Sequence, residues 1–248
     1  MGFLSKVELK KQLQKMGINV EGNCVSKIEI KKVLSGIKNT DYPYYRVSNS
    51  SQKPAATENN KRHDPYGVYL FIKGEPVDVS GMWSDAKWRW DAKLKSGAKI
   101  LDLSKMNASL AFDLFKIAGL TNYTAIWDLH KMKPHSGAYD RPEEEVEYLF
   151  SLNPNKDKPS EDQLKKAFNN VNGNSAYRVL RLLYSTKFKT NKKFSELFIK
   201  AGFDALLDTV NAIYPNEPQL IVFNPTNVIW GERERNESDD NVYMISDE

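Results

Sequence analysis

Two short apolar runs near the carboxyl end enclose a polar segment, and this arrangement constrains the fold of the 248-residue chain more than any other. The runs are residues 203–208 (FDALLD) and 220–223 (LIVF), whose length and composition predict buried strands. The irregular segment 209–219 between them ends in Asn-Glu-Pro-Gln at 216–219. A carboxylate and a carboxamide at the entry to a buried strand mark this segment as the first place to look for chemistry.

Strand patterns lie at both ends of the main part of the chain, and helical patterns lie between them. Strands are predicted at 41–48, 65–72 and 99–103, whereas residues 108–200 show amphipathic periodicity with capping residues at helix boundaries. The tryptophan-rich segment 83–90 has spacing near that of a short helix. This order predicts an α+β fold in which the first and last strands pair centrally. The sequence contains neither of the glycine-rich nucleotide motifs GxGxxG and GxxxxGK[ST].

Charge is distributed unevenly along the chain. Residues 1–38 hold eight lysines and three glutamates, a net charge of +5 in a chain whose total is +4. Capping boxes that begin at Ser5 and Ser26 predict two helices, so residues 1–40 are expected to form a basic helical hairpin. Its lysines are either the solvated side of two amphipathic helices or a surface for a protein partner or nucleic acid. The acidic tail 232–248 lacks hydrophobic periodicity and is expected to be flexible.

Composition predicts a globular protein without a membrane span or a structural metal. Hydrophobic residues make up 40% and charged residues 27% of the chain, and no apolar run approaches the roughly 20 residues of a membrane helix. The single cysteine, Cys24, has no internal disulfide partner, and no Cys or His cluster has zinc spacing. Asp204 and Asp208 fall on one face of a predicted strand, but a third metal ligand is missing nearby in the sequence.

Four segments together resemble the ADP-ribosyltransferase-like superfamily, particularly divergent members from bacteriophages and mobile elements. The resemblance covers roughly residues 42–230 and implies a split two-sheet core, at 41–231, around a cleft that binds NAD in a bent conformation. Residues of about 108–200 would form a helical insertion in this core. The segments that carry the resemblance are Tyr45-Arg46, YGVY at 66–69, GFDALLD at 202–208 and NEPQLIVFNP at 216–225.

The resemblance implies an NAD-dependent mono-ADP-ribosyltransferase, encoded by a phage, that modifies a host macromolecule. Cleavage of the nicotinamide–ribose bond develops positive charge on the sugar, and a nearby carboxylate stabilises that charge. Glu217 is the candidate for this catalytic carboxylate. Arg46 is the second catalytic candidate, because a guanidinium fork suits pyrophosphate or ribose. The candidates for NAD binding are Tyr45, Arg46, Ser48, Gly67, Tyr69, Asn216 and Gln219.

Two alternatives to this interpretation remain open at the level of sequence. Many family members have Glu or Gln two residues before the catalytic Glu, whereas this chain has Glu217-Pro218-Gln219. If Gln219 rather than Glu217 faces the sugar, the neutral amide stabilises the cation poorly, and the fold serves as an inactive virion or interaction module. Arg46 could also pair with a surface carboxylate, and Tyr69 and the tryptophans of 83–90 could pack in the core.

The expected partners follow from the same resemblance. They are NAD, a host protein or nucleic-acid target, and a virion or protein partner that docks through residues 1–40. The expected location is the host cytoplasm, with carriage in the virion as a further possibility, and no membrane partner is expected.

Overall fold

The computed structural model describes most of the chain between residues 42 and 235, with two short segments outside it. The described residues are 24–26, 42–56, 65–75, 86–134, 141–156, 158–171, 173–213, 217–235 and 242–244.

A seven-stranded mixed sheet and six α-helices form the described part of the chain, which is therefore an α+β fold. The strands are β1 (Cys24–Ser26), β2 (Tyr44–Ser48), β3 (Val68–Ile72), β4 (Trp88–Leu94), β5 (Ile100–Asp102), β6 (Ala205–Asp208), β7 (Gln219–Val222), β8 (Val228–Arg235) and β9 (Val242–Met244). The helices are α1 (Ala108–Ile117), α2 (Tyr123–Trp127), α3 (Pro142–Phe150), α4 (Glu161–Phe168), α5 (Gly173–Thr186) and α6 (Asn191–Lys200).

The strand order of the large sheet is β5-β6-β7-β3-β2-β4-β8, and β1 pairs separately with β9. Neighbouring strands of the large sheet are antiparallel except β5 and β6, which are parallel. A parallel pair needs a crossover connection, and here that connection contains all six helices. The six helices lie between residues 108 and 200.

Helix boundaries lie where short polar side chains can satisfy the free amides of a first turn. Asn107 and Thr190 cap α1 and α6, and Ser160 forms a full capping box with Gln163 at the start of α4. Gly202 follows α6 with a φ of +89°, a value that glycine adopts without steric cost.

The main core lies between the helices and one face of the sheet. Its large members include Trp127, Phe150 and Phe168, which contact one another edge to face or tilted. Phe198 of α6 stacks on Phe223, which directly follows β7, at 5.4 Å between ring centroids. This contact fixes the last helix against the strand that carries the Glu217 segment. Among the helices that the structure describes, none is long and apolar enough to cross a membrane.

Three sequence-based predictions were wrong at particular places. Residues 88–94 form strand β4 and not a helix, because they pair with β2 on one side and with β8 on the other. Strand β8 continues to Arg235, so the boundary expected after 231 lies too early, and β9 falls within the tail expected to be flexible. Within the expected basic hairpin, Cys24–Ser26 is a strand that pairs with β9. The remainder of residues 1–40 lies outside the described residues.

Candidate functional site

Strand register divides the large sheet into two faces. Four neighbouring strands each contribute one residue to a line of directly paired positions. These residues are Tyr45 on β2, Phe71 on β3, Gln219 on β7 and Asp208 on β6. Directly opposed residues of antiparallel strands point to the same side, so these four side chains form one row. The next residues on that side include Ile221, which belongs to the core beneath the helices. We call this side the helical face and the other side the opposite face.

Glu217 and Gln219 lie together at the start of β7. Gln219 is the first residue of the strand, its side chain faces the helical face, and only 4% of the residue is exposed. Its Nε2 donates a hydrogen bond of 3.0 Å to Oε2 of Glu217, which is half-buried. The amide therefore orients the carboxylate. Gln219 begins the strand ladder, and Glu217 lies two residues earlier, just outside the ladder.

A buried ion-pair cluster lies farther along the same row. Asp91 of β4 is opposed to Tyr45, and its side chain is 7% exposed. Lys73 contacts the Asp91 carboxylate at 2.9 Å, and Arg89 approaches it at 3.8 Å. Two cations thus meet one buried carboxylate on this part of the helical face, and Glu234 is opposed to Arg89 across β4 and β8.

Aromatic rings lie beside this cluster. The rings of Tyr45 and Phe71 are 5.4 Å apart, and the Arg89 guanidinium lies 4.1 Å from the Tyr45 ring centroid. Burial raises the pKa of the Tyr45 phenol, and the charge of Arg89 opposes that shift only in part. Tyr45 therefore remains neutral at physiological pH. Aromatic surface next to cations suits a ligand that combines flat rings with phosphate groups.

Arg46 follows Tyr45 on β2, so its side chain leaves the strand toward the opposite face. Its Nη1 donates a 2.7 Å hydrogen bond to the backbone oxygen of Tyr69 on β3. The β2–β3 ladder consists of the pairs Tyr44–Ile72 and Tyr45–Phe71, and Arg46 bridges the two strands beyond its end. The side chains of Arg46 and Gln219 therefore lie on opposite faces of the sheet. The Arg46 guanidinium nevertheless reaches the gap between β2 and β3.

The other expected NAD-binding residues have structural contacts of their own. A Cβ atom on Gly67 would lie 2.7 Å from the Val222 oxygen, so the close approach at Gly67 is to the backbone of β7. The Tyr69 phenol, on the helical face, donates to the Pro65 oxygen. Ser48 accepts a 3.1 Å hydrogen bond from the Ser50 amide at the end of β2. Asn216 lies outside the described residues.

The two aspartates considered as a metal pair support loops instead. Asp208 is 1% exposed and accepts hydrogen bonds from three amides of the following loop, those of Val210, Ala212 and Ile213. Asp204 accepts from the Lys99 amide and from the side chain of Asn227. Within the residues that the structure describes, no group of three His, Cys, Asp or Glu side chains could hold a metal ion.

Sequence reasoning missed Lys73, Arg89 and Asp91. The signal for two of them was present, because Trp-Arg-Trp-Asp at 88–91 alternates large apolar and charged residues with the period of a strand. The helical interpretation of 83–90 hid this alternation. Lys73 directly follows a clear strand, but the sequence does not show which carboxylate it meets.

Comparisons with protein-family models, with curated proteins and with solved structures find no match to this chain.

Proposed function

We propose that this protein is an NAD-dependent mono-ADP-ribosyltransferase with an ADP-ribosyltransferase-like core, and that Glu217 is its catalytic carboxylate. The observation that carries the proposal is the hydrogen bond from Gln219 to Glu217. This bond holds a half-buried carboxylate beside the row that contains Tyr45 and Phe71. A carboxylate fixed in this way is pre-organised for a developing positive charge.

The shape of the sheet supports the proposed core. The ladder between β2 and β3 is short, so the sheet consists of one half with β5, β6, β7 and β3 and another with β2, β4 and β8. The resemblance implies a core split into two sheets around a cleft. In our proposal the short ladder is the line of that split, and NAD lies across it with its nicotinamide end toward Glu217.

The charges and rings around the split suit the two ends of a dinucleotide. Lys73 and Arg89 of the helical face provide the cations that a pyrophosphate requires. Tyr45, which is half-buried, provides aromatic surface for a base or for the nicotinamide, and the buried Phe71 packs beside its ring. Because register directs Arg46 to the opposite face, the pyrophosphate in our proposal is bound by Lys73 and Arg89, two cations that were not expected from the sequence.

The proposed reaction breaks the bond between ribose C1′ and the nicotinamide nitrogen, and nicotinamide leaves with the bonding electrons. The ribose becomes positively charged, and the Glu217 carboxylate stabilises it. A nucleophile of the acceptor then attacks C1′ and gives up its proton. We propose a host macromolecule as the acceptor, a phage as the source of the chain and the host cytoplasm or the virion as its location.

Transfer from NAD labelled in the ADP-ribose part tests this function in bacterial lysate. The comparison is between the wild type, Glu217→Gln and the matched control Glu196→Gln, which changes an exposed acid on α6. We expect label on macromolecules with the wild type and the control, and a loss of about 100-fold with Glu217→Gln. Protease and nuclease treatment of the product separate protein from nucleic-acid acceptors. Equal labelling by wild type and Glu217→Gln would remove Glu217 from its role.

A second candidate function is that of a non-catalytic virion or interaction module. The observation in its favour is that Gln219, a neutral amide, occupies the strand position, whereas register directs Arg46 to the opposite face. On this account NAD binds without being cleaved or does not bind at all. Wild-type protein that yields no nicotinamide above the spontaneous rate would favour it.

A further inference from the structure

The opposite face of β2, β4 and β8 gathers tryptophan and arginine side chains. Register places Arg46, Trp90 and Arg233 in one row and Ser48, Trp88 and Arg235 in the next, and Ala92 is opposed to Trp230. The ladder between β4 and β8 shifts between Trp90 and Ala92. This bulge gives β8 one additional residue, so both Trp230 and Arg233 face the same side. We call the set Trp88, Trp90, Trp230, Arg46, Arg233 and Arg235 the tryptophan–arginine face.

Strand alternation also sorts the charges of β8. Its last four residues read Glu-Arg-Glu-Arg. Glu234 is opposed to Arg89 and therefore points to the helical face, whereas Arg233 and Arg235 point to the tryptophan–arginine face. The described residues contribute three arginines and no carboxylate to the two rows that contain Trp90 and Trp88. This face therefore has a local positive charge, although residues 232–235 of β8 contain two glutamates and two arginines.

The side chains of this face are in contact. The Arg233 guanidinium lies 4.4 Å from the Trp88 ring centroid and 5.7 Å from that of Trp90. Trp90 meets Trp230 edge to face at 6.2 Å. Arg233 also donates to the Ser51 oxygen at 2.8 Å. The guanidinium is thereby held in place over the rings, so little conformational freedom remains to be lost when a ligand binds.

The exposed end of the face is accessible to a ligand. Arg233 and Arg235 are exposed and Trp88 is partly exposed, whereas Trp90 is buried, so Trp88 is the ring of the two that a base can reach. Lys53, in the loop that supplies the Ser51 oxygen, is also exposed. An arginine stacked on tryptophan could serve only to cover the ring. That role, however, does not require Arg235, which is opposed to Trp88 at the end of the strand and adds a second exposed guanidinium.

We propose that the tryptophan–arginine face binds single-stranded nucleic acid. Guanidinium groups bind phosphates, and tryptophan rings stack with bases of any sequence, which together are the means by which single strands are held. A sheet surface can present rings to unstacked bases, whereas the bases of a duplex are already stacked and offer only their edges. The expected binding has little sequence preference. It does not depend on the NAD chemistry proposed above or on the lysines of residues 1–40.

Fluorescence anisotropy with labelled 12-residue oligo(dT) and oligo(rU) tests the proposal on the full chain. We expect both to bind at low salt, with an affinity that falls as salt rises because counterions are released from the phosphates. We expect a duplex of equal length to bind at least about fivefold more weakly, because only the bases of a single strand are free to stack on the rings.

Two variants, each with a matched control, locate the binding. Arg235→Glu reverses an exposed charge at the end of β8, and Arg141→Glu makes the same change next to α3, where the side chain is 70% exposed. We expect Arg235→Glu to weaken binding about tenfold or more and Arg141→Glu to change it less than about twofold. Trp88→Phe keeps an aromatic ring, whereas Trp88→Leu removes the stacking surface. We expect the leucine variant alone to bind more than about fivefold more weakly.

Several results would overturn this assignment. They are an absence of binding at low salt, equal effects of Arg235→Glu and Arg141→Glu, and binding of the duplex as tight as that of the single strand. Binding of polyglutamate of matched charge as tight as that of oligo(dT) would also overturn it, because charge alone would then be the attraction. Far-ultraviolet circular dichroism of each variant shows whether a loss of binding follows from a loss of fold.

Discussion

At the scale of single residues, Gly67 is the described glycine with the least room for a side chain. Any Cβ there would lie 2.7 Å from the Val222 oxygen and 2.9 Å from a methyl carbon of Ile221. Because the backbone of β7 cannot move away from β3 without breaking their ladder, we expect Gly67→Ala to cost about 3 kcal/mol of unfolding free energy. Urea denaturation measures this difference.

The matched control for that measurement is Gly97→Ala. Gly97 has a φ of +82°, and a Cβ atom added to it would have no neighbour within 4 Å. Alanine at this position therefore loses only about 1 kcal/mol of unfolding free energy, the cost of placing an L-residue in a left-handed conformation. Similar losses for the two variants would contradict the packing explanation. If Gly67 served only to admit NAD, Gly67→Ala would lower NAD affinity without lowering stability.

Asp91 supports a second prediction at this scale. The residue is 5% exposed and lies between Lys73 and Arg89. Asp91→Asn removes the negative charge and leaves two cations close together, and we expect a loss of about 3 kcal/mol in the free energy of unfolding. Asp113→Asn, which breaks an exposed pair on α1, is the control and should cost less than about 1 kcal/mol. If Asp91→Asn lowers the free energy of unfolding by no more than Asp113→Asn does, the Asp91 cluster is exposed to water and the prediction is wrong.

At the scale of elements, Glu161 of α4 caps the start of α2. Its carboxylate accepts hydrogen bonds from the Thr124 hydroxyl and from the Tyr123 and Thr124 amides. The hydrogen bond from Thr124 is the largest of the effects that lower the pKa of Glu161. A lowered folded-state pKa means that the stabilisation is present above the unfolded value of about 4.3 and is lost as the pH falls through the folded value.

We therefore expect Glu161→Gln to cost about 0.5 kcal/mol at pH 7, a modest value because the carboxylate is exposed to solvent. The difference from wild type should shrink as the pH falls below about 4. Asp162→Asn, one residue farther along the same helix turn, is the control and should change the stability by a smaller amount. A difference for Glu161→Gln that is independent of pH would contradict the capping role.

Local sequence signals were sufficient for most elements. The capping box of Ser160 and Gln163 at the start of α4 and Pro142 in the first turn of α3 are signals that depend on neighbouring residues alone. Strand β4 was missed because Trp88 and Trp90 acquire their positions from neighbours on β2 and β8, which are distant in sequence. The intrinsic strand propensity of single residues does not show with which distant strands they pair.

The candidate site was predictable to a smaller extent. Glu217 and Gln219 were singled out because they precede an evident strand, and the structure brings them into contact. The pairing of Arg46 with the Tyr69 oxygen depends on where the β2–β3 ladder ends, and Asp91 depends on the register of β4. Both are set by pairing between distant strands, which a single sequence does not specify.

At the scale of the whole molecule, a hydrophobic cluster joins the two halves of the sheet on the opposite face. It contains Val68 and Leu70 of β3, Val222 of β7 and Ala92 of β4, with Trp230 of β8 packed against them. The two halves thus share a core despite the short ladder between β2 and β3. We infer that they unfold together.

Phe168→Ala tests this cooperativity, because Phe168 is fully buried among the helices. We expect the free energy of unfolding to fall by about 3–5 kcal/mol. Hydrogen exchange should become faster by the same factor in peptides from the helices, β7 and β4. The control Tyr148→Ala changes a half-exposed ring on α3 and should leave exchange in β7 and β4 near wild type. Wild-type protection of β4 in Phe168→Ala would show that the half with β2, β4 and β8 folds independently.

The most direct test of the proposed function is the rate at which purified protein releases nicotinamide from NAD. We expect release by the wild type above the spontaneous rate, a decrease of about 100-fold or more in Glu217→Gln and a decrease of about 10-fold in Gln219→Leu, which removes only the orienting amide. A rate in Glu217→Gln within about threefold of the wild type, or no release by the wild type, would contradict the assignment of Glu217 as the catalytic carboxylate.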